Sequence, residues 1–175
     1  MILGLDLSLT STGYALLHDE EVVWHGSVTG GNYRDAERLE RFYEWVRRTL
    51  RSDVFCEHVA IEGYSYGSHN TNLPAIGELG GVIKLAIYQA GIPMHVIPPS
   101  TWKKQLLGRG NLPKDMVRVE AFKRYGVEFA SQDTLDAWAV AMCCRRQLLG
   151  LDKPEPKSKK RKTPRDLPLL EGAGS

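Results

Sequence analysis

The first eight residues, Met1-Ile-Leu-Gly-Leu-Asp-Leu-Ser8, are apolar almost without interruption. Such a run reads as a strand covered on both faces, as in the interior of an α/β sheet. Its single carboxylate, Asp6, is then a problem for any fold, because an unpaired charge beside a buried strand is costly. A metal ion, a basic side chain or backbone N–H groups would each resolve it. So would a plainer arrangement in which Asp6 caps the turn at residues 9–12.

A chain of 175 residues suffices for one domain with a real core. Its apolar stretches are far too short to span a bilayer, and the N-terminus has no signal-peptide pattern. Cys56, Cys143 and Cys144 form no disulfide or metal-ligand pattern and read as free thiols in a reducing cytoplasm. The net charge of +2 is unevenly distributed. Residues 151–175 carry seven Lys/Arg against four Asp/Glu, so residues 1–150 are close to neutral. Residues 157–165 include six basic side chains in nine and nothing to bury. This divides the chain into a domain over 1–150 and a basic, disordered tail over 151–175. The tail is either an arm for phosphates or a solubilising segment.

Extended runs at 1–8, 13–18 and 22–28 are joined by short polar links, which predicts three antiparallel strands. Residues 32–51 follow as an amphipathic helix through Leu39, Phe42, Val46 and Leu50. A fourth strand at 59–62 ends at Gly63, and a polar, aromatic loop occupies 64–72. The second helical pattern, over 73–90, carries Gly77, Gly80 and Gly81, which suggests close approach of another element. A fifth strand at 94–97 precedes a short helix at 101–107 with Ser100 as candidate N-cap. Further helices are expected at 114–125 and 132–149, the last capped by Ser131 and stopped by Gly150. The pattern is an α/β fold: a five-stranded mixed sheet, three antiparallel strands then parallel ones, with helices on both faces. The first strand lies at its centre.

In that topology Asp6 and Glu62 both end parallel strands, at the sheet edge where open α/β folds bind ligands. Asp133 and Asp136 share one face of the final helix at i and i+3. Four carboxylates meeting there would repel one another unless cations were bound. Hard oxygen ligands suit Mg²⁺ or Mn²⁺, and a pair of such ions is a standard device for phosphodiester hydrolysis. The plainer reading makes Asp133 a helix-terminal acid and Glu62 a solvated strand end.

Three segments carry a resemblance. Gly4-Leu-Asp-Leu-Ser-Leu-Thr-Ser-Thr-Gly-Tyr14, Ile61-Glu-Gly63 and Asp133-Thr-Leu-Asp-Ala-Trp-Ala-Val-Ala141 resemble, in order, motifs of RuvC-type Holliday junction resolvases, within the RNase H-like superfamily. Lys104-Gln-Leu-Leu-Gly-Arg-Gly-Asn-Leu-Pro-Lys114 resembles the basic segment of that family.

The resemblance implies an RNase H-like fold and a crossover junction endodeoxyribonuclease that makes paired symmetric nicks in four-way DNA junctions. The products would carry 5′-phosphate and 3′-hydroxyl ends. It assigns Asp6, Glu62, Asp133 and Asp136 to two metal ions, Asp6 bridging them. It places Lys103, Lys104, Arg109 and Lys114 along the DNA backbone. Tyr64 or Tyr66 would stack on an unpaired base. It also implies a homodimer in the cytoplasm of a prokaryotic or phage-infected cell; the glycine-bearing helix at 73–90 is a candidate for part of the contact, with internal packing as the alternative reading of its glycines. The loop at 64–72 and the tail do not follow the family pattern. Rival expectations are a related nuclease for flaps, forks or RNA–DNA hybrids, a sugar-kinase or actin-like ATP-binding domain, and a non-catalytic DNA-binding protein.

Overall fold

A computed structural model describes residues 1–51, 56–64 and 73–151. The basic tail beyond residue 151 and most of the 64–72 loop, including Tyr66, lie outside them. Five strands, β1 (Ile2–Asp6), β2 (Ser11–His18), β3 (Glu21–Thr29), β4 (His58–Glu62) and β5 (Met94–Ile97), form one sheet in the order β3-β2-β1-β4-β5. The pairs β1–β2 and β2–β3 are antiparallel, and β1–β4 and β4–β5 are parallel. The central position of β1 and the mixed sheet are as expected from the sequence.

Five helices cover the sheet: α1 (Asp35–Arg51), α2 (Leu73–Gln89), α3 (Pro99–Leu107), α4 (Lys114–Tyr125) and α5 (Gln132–Leu148). The near-continuous apolar run of β1 serves two cores. Leu3 and Leu5 pack with Phe42, Val46, Leu79, Ile83 and Ile87 of α1 and α2. Ile2 belongs to the opposite core, with Trp102, Leu135, Trp138 and other residues of α3, α4 and α5.

Two glycines set how closely α5 lies on the sheet. A Cβ on Gly4 would stand 1.9 Å from the carbonyl oxygen of Ala137, and one on Gly13 would stand 2.2 Å from that of Asp133. Both are contacts with helix backbone, so no rotamer change relieves them. The helix start is further held by Ser131, whose Oγ accepts the Thr134 N–H at 3.1 Å, and by Thr134 Oγ1, which donates to the Gly26 carbonyl at 3.0 Å. The expected Ser131 cap is therefore present. Ser100 does not cap α3: that helix begins two residues earlier than expected, at Pro99, with Pro98 in the cap position. A proline at the first helical position removes one of the orphan N–H groups, and the Thr101 N–H is taken by the Pro98 carbonyl at 2.9 Å.

Cys143 and Cys144 are buried free thiols of α5. Burial pushes them up to about 12 and about 11 respectively, which keeps them protonated and inert.

Candidate active site

The C-terminal ends of β1 and β4 and the first turns of α5 meet at one edge of the sheet. Asp6, Glu62 and Asp136 each bring a carboxylate oxygen there, all within 4.8 Å of one another. The last residues of β1 and β4 are adjacent because the strands pair in parallel, Leu5 opposite Ile61. Asp136 joins them because Gly4 and Gly13 let α5 lie directly on β1 and β2.

Asp6 does not cap the following turn. That turn is closed by hydroxyls: Thr12 Oγ1 donates to the Ser8 carbonyl at 3.0 Å and accepts the Ser8 N–H at 3.2 Å, and Thr10 N–H donates to Ser8 Oγ at 3.4 Å. With the turn satisfied locally, the Asp6 carboxylate is left facing its acidic neighbours.

Burial, and then the Glu62 carboxylate, hold Asp6 well above the usual carboxylate range, with smaller contributions from Asp136 and Asp133. Asp136 is pushed up to about 7, again by burial first and Glu62 second. A hydrogen bond from Gln132 Nε2 at 2.8 Å and the charges of Lys103 and Lys114 oppose that rise. Carboxylates held this far above their ordinary range retain a proton near neutrality unless a cation lies beside them. The oxygen-only donor set and the burial fit a hard divalent ion. Asp133 sits in the first turn of α5 and adds to the field at Asp6, but it is not in the three-carboxylate group.

The basic residues separate. Lys103 and Lys114 act electrostatically on Asp136. Lys103 also lies over the Trp102 ring, 5.4 Å from its centroid, and its Nζ donates to the Leu112 carbonyl at 3.5 Å. Lys104 is exposed and lines a different cavity with Arg124 and Arg146. Arg109 is exposed between α3 and α4. Tyr64 packs on α2: its hydroxyl donates to the Ile76 carbonyl at 3.0 Å, and its ring faces Lys84 at 5.8 Å. The hydroxyl occupies the space a Cβ on Gly80 would need.

Two residues at the site have no counterpart among the sequence candidates. Trp102, fully buried, donates its indole N–H to Glu62 Oε1 at 2.8 Å. Gln132 holds Asp136 from one turn earlier on α5. Gln132 was accessible from its i, i+4 spacing to Asp136. Trp102 had a weaker signal: a buried indole needs an acceptor.

Comparison with known proteins bears on this site. The family described as crossover junction endodeoxyribonuclease RuvC matches residues 2–144. Its member from Heliobacterium modesticaldum is 30% identical over 158 residues, covering 85% of this chain and 95% of the relative. The one from Syntrophomonas wolfei is 28% identical over 149 residues, covering 81% and 86%. Among solved structures, Thermus thermophilus RuvC superimposes with a TM-score of 0.70 at 23% identity, over 87% of this chain and 98% of that one. A second structure of that protein, in complex with a Holliday junction substrate, gives the same TM-score of 0.70.

Proposed function

The chain belongs to the RuvC family of crossover junction endodeoxyribonucleases, and from that membership we propose that it resolves four-way DNA junctions by paired, symmetric hydrolytic nicks. Its five-stranded mixed sheet flanked by helices is the RNase H-like fold. The sugar-kinase and actin-like reading falls away with the family assignment. No helix among the described residues is long and apolar enough to cross a membrane.

The observation that carries the proposal is the convergence of Asp6, Glu62 and Asp136 within 4.8 Å at one sheet edge. Asp6, Glu62 and Asp136 would hold divalent metal, Mg²⁺ or Mn²⁺, with Asp133 completing a second position beside Asp6. Bound there, such ions supply an activated water and charge stabilisation for the leaving oxygen. The chain's own residues do the positioning. Trp102 fixes the rotamer of Glu62, and Gln132 fixes that of Asp136. Lys103 and Lys114 bring positive charge to the edge where the scissile phosphate enters. Water adds to phosphorus, the bond to the 3′ oxygen breaks, and 5′-phosphate and 3′-hydroxyl ends result.

A junction has two-fold symmetry, so two matched nicks call for two sites related by the same symmetry. We place the dimer contact on the outer face of α2. Among the described residues a Cβ added at Gly77 or Gly81 would meet nothing within 4 Å, and Leu85 (49% exposed) and Tyr88 (80% exposed) continue the stripe.

The test is cleavage of a four-way junction, a fork, a flap and a plain duplex, with Mg²⁺ or Mn²⁺ and with chelator. The junction should be cut fastest, only with metal, and Asp6→Asn should abolish cleavage while the variant still binds junction. Cleavage by Asp6→Asn at the wild-type rate would overturn the site. Preference for flap or fork would move the substrate assignment to those branched forms.

A further inference from the structure

Away from the carboxylates, the C-terminal parts of α3, α4 and α5 enclose a cavity of about 290 Å³ lined by Lys104, Gln105, Gly108, Arg124, Tyr125 and Arg146, among others. Arg146 lies ten residues after Asp136 on α5, about 15 Å along the helix axis at 1.5 Å per residue. Helix C-termini favour cations through their dipoles, so basic side chains in these last turns are not by themselves a site.

The pairing of these cations is what distinguishes the cavity. Arg145, the neighbour of Arg146, is bound to Glu20 at 2.9 Å and to Asp19 at 3.6 Å. Arg146 and Lys104 have no ion pair among the described residues. Arg124 is partnered by Glu120 at 3.2 Å, but that carboxylate is shared with Lys123 at 3.7 Å. The Arg146 Nε is moreover buried and without a hydrogen-bond partner among the described residues. A buried guanidinium N–H left unbonded is costly, and three cations around one cavity repel each other. An anion with several acceptor oxygens in the cavity offsets that repulsion, and the outer N–H groups of a guanidinium match a phosphate in geometry as well as charge.

We propose that Lys104, Arg124 and Arg146 form a phosphate-binding site separate from the catalytic carboxylates. Its occupant is a phosphate group, carried either by the backbone of a junction arm leaving the cleavage centre or by free phosphate in solution. The first source rests on the junction-nuclease reading; the second does not. Lys104, expected from sequence beside the scissile phosphate, serves this second position instead, while its neighbour Lys103 faces the carboxylates.

Two measurements on the full chain, wild type, Arg146→Gln and Arg124→Gln, test the site. The first is junction affinity in chelator across a salt series. Loss of one backbone contact should lower the slope of log affinity against log salt by about 0.9 per contact. The second is the rise in melting temperature with millimolar inorganic phosphate. A reduced slope in the variants supports the site with a DNA occupant. A phosphate-induced rise in the wild type that both variants lose, with an unchanged junction slope, supports it with free phosphate. Variants matching the wild type in both measurements would overturn it. Arg124→Gln guards against misfolding, since Arg124 is exposed and its loss opens no core. A wild type that neither binds nor cuts junctions would sink the nuclease reading alone, because the phosphate titration can still be scored.

Discussion

Asp136→Asn should make the metal-free protein more stable at alkaline pH, even though it removes a residue of the site. The reason is the direction in which the carboxyl is held. Burial and Glu62 raise Asp136 from 3.8 to about 7, so the folded chain retains a proton that the unfolded chain has released. Below about pH 4 both states are protonated and nothing is lost. Between there and about pH 7 unfolding releases a proton, so stability falls as pH rises, and the loss is complete above the folded-state value. The full rise corresponds to about 4 kcal/mol at 1.36 kcal/mol per unit. Water reaches one side of the half-buried group and screens part of this, which leaves on the order of 2 kcal/mol. For a domain of this size that is about 4–8 °C in melting temperature.

The assay is thermal or urea unfolding of wild type and Asp136→Asn in chelator at pH 5 and pH 8. The variant should be the more stable at both, by roughly a third of the full difference at pH 5 and by all of it at pH 8. Asparagine keeps the shape and can still pair with Gln132, so packing is held constant. Adding Mg²⁺ should then stabilise the wild type and much less the variant, because a ligand that binds only the folded state adds RT ln(1 + [L]/Kd). A variant equally or less stable than wild type at pH 8 in chelator would refute the claim that the cluster stores electrostatic repulsion.

Gly4→Ala should destabilise the fold by about 3 kcal/mol through overpacking against the Ala137 carbonyl, and denaturant titration would show it; the accompanying shift of α5 should also slow junction cleavage. Trp102→Phe should leave the core filled but remove the N–H that holds Glu62; metal titration of the cleavage rate should show a 10–100-fold weaker dependence, the usual cost of losing an outer partner of a metal ligand. Gly81→Arg adds a side chain where the monomer leaves open space, so it should leave stability almost unchanged while sedimentation shifts from dimer to monomer; a dimer that persists would place the contact elsewhere.

What the sequence could and could not convey follows from periodicity. The strand β1 was legible because two-sided burial leaves an unbroken apolar run, and Ser131 was legible because a cap sits immediately before its helix. Asp6 and Glu62 followed from the parallel order of β1 and β4. The choice between Lys103 and Lys104 did not follow. Adjacent helical residues differ by about 100° in direction, so the choice depends on the rotation of α3. That rotation is set by Trp102 and Leu106, both buried on one face. A short helix with few apolar residues defines such a face only when the core it meets is known. The same holds for Trp102 itself: nothing near it in the sequence points to Glu62 as the acceptor of its indole N–H.

The glycines of β1 and β2 and the carboxylates of the site express one trade. Gly4 and Gly13 lack side chains where the backbone of α5 must touch the sheet, and that contact brings Asp136 to Asp6 and Glu62. The closer α5 lies, the more water is excluded and the stronger the repulsion among the three carboxylates. A looser packing would relieve that repulsion but would hold divalent ions in a wider, wetter cage. Trp102 and Gln132 each direct one polar N–H at a carboxylate, and Lys103 and Lys114 add charge of the opposite sign. These contacts offset part of the repulsion without neutralising it. The residual repulsion is therefore the measure of how strongly the site is poised for cations, and substitutions that relieve it should trade metal affinity for stability in proportion.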